Sequence, residues 1–226
     1  MTTCNNTNQI RVVWLGHSDF SKTWELQKRL SEQIAKGEVP ETVLLLEHNN
    51  VYTLGRRGKV EDVLLPAAEL NSMGIELHQI DRGGEVTYHG PGQLVGYPIL
   101  DVRKLGGPLR LVCALQNTMI SSLSEFGIRA ICDNKPTGVW VQEAKIGAIG
   151  LRVSKGLSTH GFALNVSPDL SFFDNIVPCG MPGIEVTSME KLSVSVELFD
   201  FAKTVSKYLA ENLGKDLCWA EKTEVI

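Results

Sequence analysis

The chain has 226 residues and a mass of 24.8 kDa, with 43% hydrophobic and 21% charged residues, which excludes a disordered or low-complexity polypeptide. Its formal charge of −4 provides no overall field to draw nucleic acid or an anionic membrane. The longest apolar runs, such as Val43 to Leu46 and Gly147 to Leu151, fall far short of the roughly 20 residues that cross a bilayer.

The amino terminus has neither a basic stretch followed by an apolar one nor an arginine-rich amphipathic pattern, so the expected compartment is the cytoplasm. No internal repeat or linker-like run divides the chain, and one domain spanning 1–226 is expected.

Three helices are predicted. The first begins near Ser21, carries Trp24, Leu30 and Ile34, and stops at Gly37. The second opens at Pro108, a residue suited to a first helical position, and places Val112, Leu115, Met119, Leu123 and Phe126 on one stripe before Gly127. The third follows Ser193, with Leu198, Phe201, Val205 and Leu209 aligned, and ends at Gly214. Short β-branched or alternating runs read as strands near 12–15, 42–47, 75–80, 94–99, 128–132, 138–142, 145–153 and 161–166. The last three are joined by links too short for crossover helices and should pair antiparallel. The expected class is α+β, a mixed and largely antiparallel sheet with helices packed on one side.

Five cysteines, Cys4, Cys113, Cys132, Cys179 and Cys218, are scattered without a Cys-x-x-Cys pair, so neither a disulfide framework nor a zinc knuckle is expected. Cys113 and Cys132 read as packed core thiols, while Cys4 and Cys218 read as incidental. Cys179 differs, because Val177-Pro178-Cys179-Gly180-Met181-Pro182-Gly183 holds it on irregular backbone rather than inside an apolar helix or strand. A free thiol with a pKa near 8.5 is only about 3% ionised at pH 7, so a reactive Cys179 needs a cation beside it. His89, His160 and Lys145 are the candidates, and sequence position does not choose among them. Lys145 opens the apolar strand Ile146-Gly147-Ala148-Ile149-Gly150, where an inward lysine is costly without an anionic partner; apart from Cys179 it reads as a solvated strand-end lysine.

The segment Arg82-Gly83-Gly84-Glu85-Val86-Thr87-Tyr88-His89-Gly90-Pro91-Gly92-Gln93 reads either as a loop that walls a binding site or as a hairpin connection whose glycines serve only turn geometry. Its glycines let backbone approach a ligand closely, and Arg82, Tyr88 and His89 add polar groups that a plain turn does not require. It is not a phosphate loop, since the Gly-x-x-x-x-Gly-Lys spacing is absent. His160, in Ser158-Thr159-His160-Gly161-Phe162-Ala163-Leu164-Asn165, either orients a substrate or the catalytic pair or is a hydrogen-bonded structural residue. His17, His48 and His78 are assigned to structure. No metal is expected, because His89, His160 and Cys179 contain no local chelating pair.

Taken together, Arg82 to Tyr97, Lys145 to Arg152, Ser158 to Val166 and Pro178-Cys179-Gly180 resemble the lipoyl(octanoyl) transferase family. Tyr52 to Arg57 and Gly138 to Val141 are similar as well, so the likeness runs from about residue 10 to residue 210. The resemblance implies the fold of biotin and lipoate protein ligase catalytic domains. It implies transfer of an octanoyl group from octanoyl-acyl carrier protein to lipoyl-domain subunits of 2-oxoacid dehydrogenases and to the glycine cleavage H protein, with no cofactor. It further implies that Cys179 is the acyl-thioester nucleophile, and that Lys145 lowers its pKa and relays a proton. Arg82, Gly83, Gly84, Glu85, Val86, Thr87, Tyr88 and His89 would bind the acyl chain with Ala148, Ile149, Gly150, Gly161, Phe162 and Ala163, while His160 could orient it.

Overall fold

The computed structural model describes residues 8–133, 135–177 and 184–226. Seven strands form the main sheet: β1 (Gln9–Ser18), β2 (Thr42–His48), β6 (Gln93–Ile99), β7 (Val139–Val141), β8 (Ala144–Ser154), β9 (Leu157–Asn165) and β10 (Asp216–Ala220). Their spatial order is β10-β1-β2-β6-β9-β8-β7. β1 runs parallel to both β10 and β2, and every other neighbouring pair is antiparallel, including the predicted β7-β8-β9 meander. A separate three-stranded sheet holds β3 (Val51–Leu54) between β4 (Glu76–Gln79) and β5 (Val86–His89).

The apolar run Val43 to Leu46 is explained by its place in mid-sheet, buried on both faces. Val43 and Leu45 join the core beneath α3 (Pro108–Glu125) and α4 (Leu198–Leu213), while Leu44 and Leu46 pack with Leu26 and Leu30 of α1 (Phe20–Ala35) on the opposite face. Helices therefore cover both sides of the sheet, not one as expected. β2 is flanked by strands on both edges and has no polar face to give to water, so each face requires a cover.

The three predicted helices have local causes. Asp19 caps α1 by accepting from the Lys22 N–H. Pro108 sits at the first turn of α3, whose stripe Leu111, Leu115, Met119 and Leu123 is buried. α4 ends at Gly214, whose left-handed conformation (φ 63°) suits glycine. A short α2 (Ala67–Ser72), together with β3, β5 and β10, was not predicted.

Several expectations change. Residues 128–132 form only a bridge, Ile131 to Trp140, because this stretch lies beside the three-residue edge strand β7. Cys113 is exposed, since it falls between the buried positions of α3. Cys132 is half-buried beside Asp133, and burial followed by that carboxylate raises its thiol pKa. Cys218, on β10, is buried and disulfide-bonded rather than incidental. Cys4 lies outside the described residues.

Candidate active site

A cavity of about 550 Å³ lies between the main sheet and the three-stranded sheet. Its floor comes from β8 and β9, where Ala148 stands opposite Ala163 and Gly150 opposite Gly161. Gly161 tolerates nothing larger, since a Cβ there would lie 1.9 Å from the carbonyl oxygen of Gly96. Arg82, Gly83, Gly84, Glu85, Val86, Thr87 and His89 form the facing wall. Residues 82–85 are irregular as expected, but 86–89 are strand β5, fixed by its ladder with β3. Strand alternation turns Tyr88 away from the cavity. Its ring stacks on Phe172 at 4.9 Å and its hydroxyl donates to Asn50 Oδ1 at 2.8 Å, so Tyr88 is not among the lining residues. Ile149 and Phe162 reach the cavity while also packing into the core beneath α3.

Arg82 is buried, and its Nη2 donates to Thr53 carbonyl oxygen (2.6 Å) and Oγ1 (2.9 Å) while its Nη1 donates to Gly83 O (3.0 Å). The guanidinium thus ties the 82–85 loop to β3. Gly55 makes room for it, since a Cβ there would stand 2.8 Å from Arg82 Nη1 and 2.4 Å from Gly84 O. At the rim, Arg57 and Glu85 form an ion pair at 2.8 Å.

Lys145, near the start of β8, is only 8% exposed and lines one end of the cavity. Its Nζ lies 5.4 Å from the centre of the Trp140 ring. Its N–H donates to Glu185 O at 2.8 Å and its carbonyl accepts from Thr187 N–H at 3.0 Å. Cys179 lies outside the described residues, but the described chain on either side reaches the same cavity. Phe173 lines it before the gap and Ile184 after it.

A hydrogen-bond chain runs onward from Lys145. The Thr187 carbonyl accepts from Asn165 Nδ2 (3.0 Å), Asn165 Oδ1 accepts from Gln93 Nε2 (2.9 Å), and Gln93 Oε1 accepts from His89 Nδ1 (2.7 Å). Gln93 Nε2 also donates to Tyr88 O, which fixes the amide orientation and makes His89 Nδ1 the protonated nitrogen. Burial, then the nearby His48, pushes the His89 pKa down to about 3. A second chain has His48 Nδ1–H donating to Ser18 O (2.7 Å) while its Nε2 accepts from the Tyr97 hydroxyl (2.8 Å). Burial holds His48 neutral with a pKa of about 4. Burial likewise raises the pKa of Tyr97, keeping its hydroxyl a donor.

His160 stands near the other end of the cavity. Its Nε2–H donates to Asp81 Oδ1 at 2.8 Å, and Asp81 is also paired with Arg152. Burial, then Arg82 and Arg152, pushes the His160 pKa down to about 3. Sequence reasoning missed Phe20, Ile80, Tyr97, Asp81, Gln27 and Gly138 as parts of the site. Phe20 and Gln27 on α1, and Ile80 and Asp81 just before Arg82, lie outside any motif, while Tyr97 and Gly138 fall in the segments Arg82 to Tyr97 and Gly138 to Val141, where only the tertiary contacts show what each does. Among the described residues no group of three metal-ligating side chains is placed to hold an ion, and no helix is long and apolar enough to cross a membrane.

A buried lysine at one end of an apolar slot defines a site suited to acyl transfer. Comparison with known proteins agrees. Residues 19–210 match the lipoyl protein ligase A/B catalytic domain. The chain is 40% identical to a mitochondrial octanoyltransferase of Arabidopsis thaliana, covering 95% of this chain and 94% of that protein. It is 47% identical to an octanoyltransferase of Chloroflexus aggregans, covering 80% and 83%. Among solved structures, lipoate-protein ligase A bound with ATP superposes with a TM-score of 0.73 at 19% identity, covering 96% of this chain and 90% of that one. A biotin protein ligase from Aquifex aeolicus in complex with biotin and ATP gives 0.56 at 19% identity, covering 90% and 70%, and these two likenesses show the fold. The chain belongs to the lipoyl protein ligase A/B catalytic domain family and, within it, to the octanoyltransferases, which are acyltransferases.

Proposed function

We propose that the protein moves an octanoyl group from octanoyl-acyl carrier protein to a lysine of lipoyl-domain proteins, the first step of endogenous protein lipoylation. The Cys179 thiolate attacks the donor thioester carbonyl, and the carrier thiolate leaves. The acceptor lysine amine then attacks the enzyme thioester, an amide forms, and the cysteine sulfur departs. Lys145 holds the thiolate in the first step and relays the proton lost by the amine in the second. Exchange between similar thiols is nearly thermoneutral and thioester to amide is downhill, so no nucleotide is needed to drive the sequence. The acceptors are lipoyl-domain subunits of 2-oxoacid dehydrogenases and the glycine cleavage H protein. Residues 1–226 act as one catalytic domain, in the cytoplasm.

One observation carries this reading: a slot floored by small residues ends at buried Lys145, next to described chain that leads to and from Cys179. An unbranched chain gains about 0.8 kcal/mol for each methylene buried in such a slot. Mixing the protein with octanoyl-acyl carrier protein and measuring intact mass is the test. Gain of one octanoyl group, absent in Cys179→Ala and passed on when a lipoyl domain is added, is the expected result. Acylation of the domain only with ATP and free acid would favour a ligase, and free octanoate as the main product would favour a thioesterase.

A further inference from the structure

Four non-glycine residues among those described have a positive φ. Gln142 lies in the β7–β8 turn, Lys155 in the β8–β9 turn and Ser193 in a turn before α4, where such conformations are ordinary. His160 (φ 55°) is different, because it sits inside β9. A left-handed residue within a strand is strained, and strain of this kind persists where the surroundings impose it for a purpose.

The consequence is a change of face. Phe162 and Leu164 point into the core beneath α3, and Leu151, the ladder partner of His160, packs against that core as well. Alternation would send the His160 side chain the same way. The left-handed backbone turns it to the cavity side instead, with its ring centre 6.2 Å from that of Trp24 and 6.4 Å from that of Tyr97. Two polar contacts hold it there. The His160 N–H donates to Gln27 Oε1 at 2.7 Å, and the ring donates to Asp81. Gln27 is fully buried and its Nε2 has no partner, a cost retained while its oxygen holds the turned backbone.

Position along the slot gives the turned ring its role. The floor pairs Ala148–Ala163 and Gly150–Gly161 leave the space above them open, and the next pair along is Leu151–His160. His160 therefore stands opposite Leu151, six residues along β8 from Lys145, about 20 Å at the usual strand rise. The side chain of Lys145 reaches Gly138, beside Gly147, and takes up the near part of that length. We propose that His160, turned out of strand register and held by Gln27 and Asp81, is the end stop that measures the acyl chain and sets the preference for eight carbons. This rests on the octanoyl-transfer reading above and adds the residue that determines its chain length.

The test compares transfer from octanoyl-, decanoyl- and dodecanoyl-acyl carrier protein to a lipoyl domain. Glycine accepts the left-handed conformation without strain, so His160→Gly removes the ring and leaves the backbone comfortable. His160→Asn, a shorter residue that also tolerates this conformation, is the second variant. The expected result is a decanoyl-to-octanoyl ratio of kcat/KM about tenfold above wild type in His160→Gly, with a smaller rise in His160→Asn. A purely structural role would lower all three rates together and leave the ratio unchanged. Ratios within twofold of wild type in both folded variants overturn the end stop while octanoyl transfer by the wild type stands. A wild-type protein inert towards all three donors overturns the transfer reading and the end stop with it.

Discussion

The side chain of Lys145 crosses the backbone of Gly138 so closely that a Cβ at position 138 would lie 2.5 Å from Lys145 Cε and 3.2 Å from its Nζ. Gly138 also has a φ of 145°, a region that L side chains rarely adopt. The two facts converge: the chain before β7 must be glycine for the ammonium to lie where it does. Gly138→Ala is expected to displace Lys145, cut octanoyl transfer at least tenfold and destabilise the fold by about 1–3 kcal/mol. Rate assays with urea unfolding check this, and a variant with wild-type turnover would show that the position of Lys145 does not matter to the reaction.

Removing the ammonium itself reports on the sulfur. In Lys145→Ala, the pH at which Cys179 reacts with iodoacetamide should move upward, because a cation worth about 4 kcal/mol at ~4 Å and an effective dielectric near 20, before desolvation, has been lost. The alkylated site must be read by peptide mass, since Cys113 is exposed. An unchanged profile at Cys179 would exclude this role for Lys145.

Tyr97 and His48 make a paired test of stability. Tyr97→Phe keeps the ring but leaves His48 Nε2, in a fully buried side chain, without its 2.8 Å donor. The expected loss is about 1–3 kcal/mol, read as a lower urea midpoint with an unchanged slope. The double variant Tyr97→Phe, His48→Phe should lose less than the sum of the two single changes, because no orphaned nitrogen remains.

Acid should unfold the protein through its buried histidines. The pKa values of His48, His89 and His160 lie at about 4, 3 and 3, below the ordinary 6.5, chiefly because burial penalises their charged forms. The unfolded chain therefore takes up protons first. Their contribution is complete above pH 6.5 and is lost as pH falls towards 4 and then 3, at about 1.4 kcal/mol per unit for each histidine. Circular dichroism against pH should show a transition within that window, moving to lower pH in His48→Phe, Tyr97→Phe relative to its own stability at pH 7. Unfolding that begins only below pH 3 would contradict the argument.

Much of this molecule was legible in one dimension. Gly37 after α1, Pro108 at the head of α3 and Gly214 after α4 are local signals, and their physics acts within a turn of chain. The meander β7-β8-β9 followed from link length alone, and the motifs around Arg82, Lys145, His160 and Cys179 carried the family. Local rules failed where a side chain's direction depended on distant neighbours. Tyr88 sits in the most distinctive motif, yet β5 pairs with β3 and turns it away from the cavity, into the buried cluster with Tyr52 and Phe172. Cys113 belongs to a helix whose buried stripe passes it by.

Tertiary structure alone decided the shape of the slot. Gly161 is small because the Gly96 carbonyl lies against it, Gly138 because Lys145 does, and His160 faces the cavity because Gln27, 133 residues earlier, accepts its N–H. Sequence determined which residues could do acyl chemistry and which segments would be helix or strand, since backbone propensity and motif composition are properties of neighbouring residues. The fold decided which of them meet, because steric exclusion and hydrogen bonding between remote segments exist only once the two sheets close on one another.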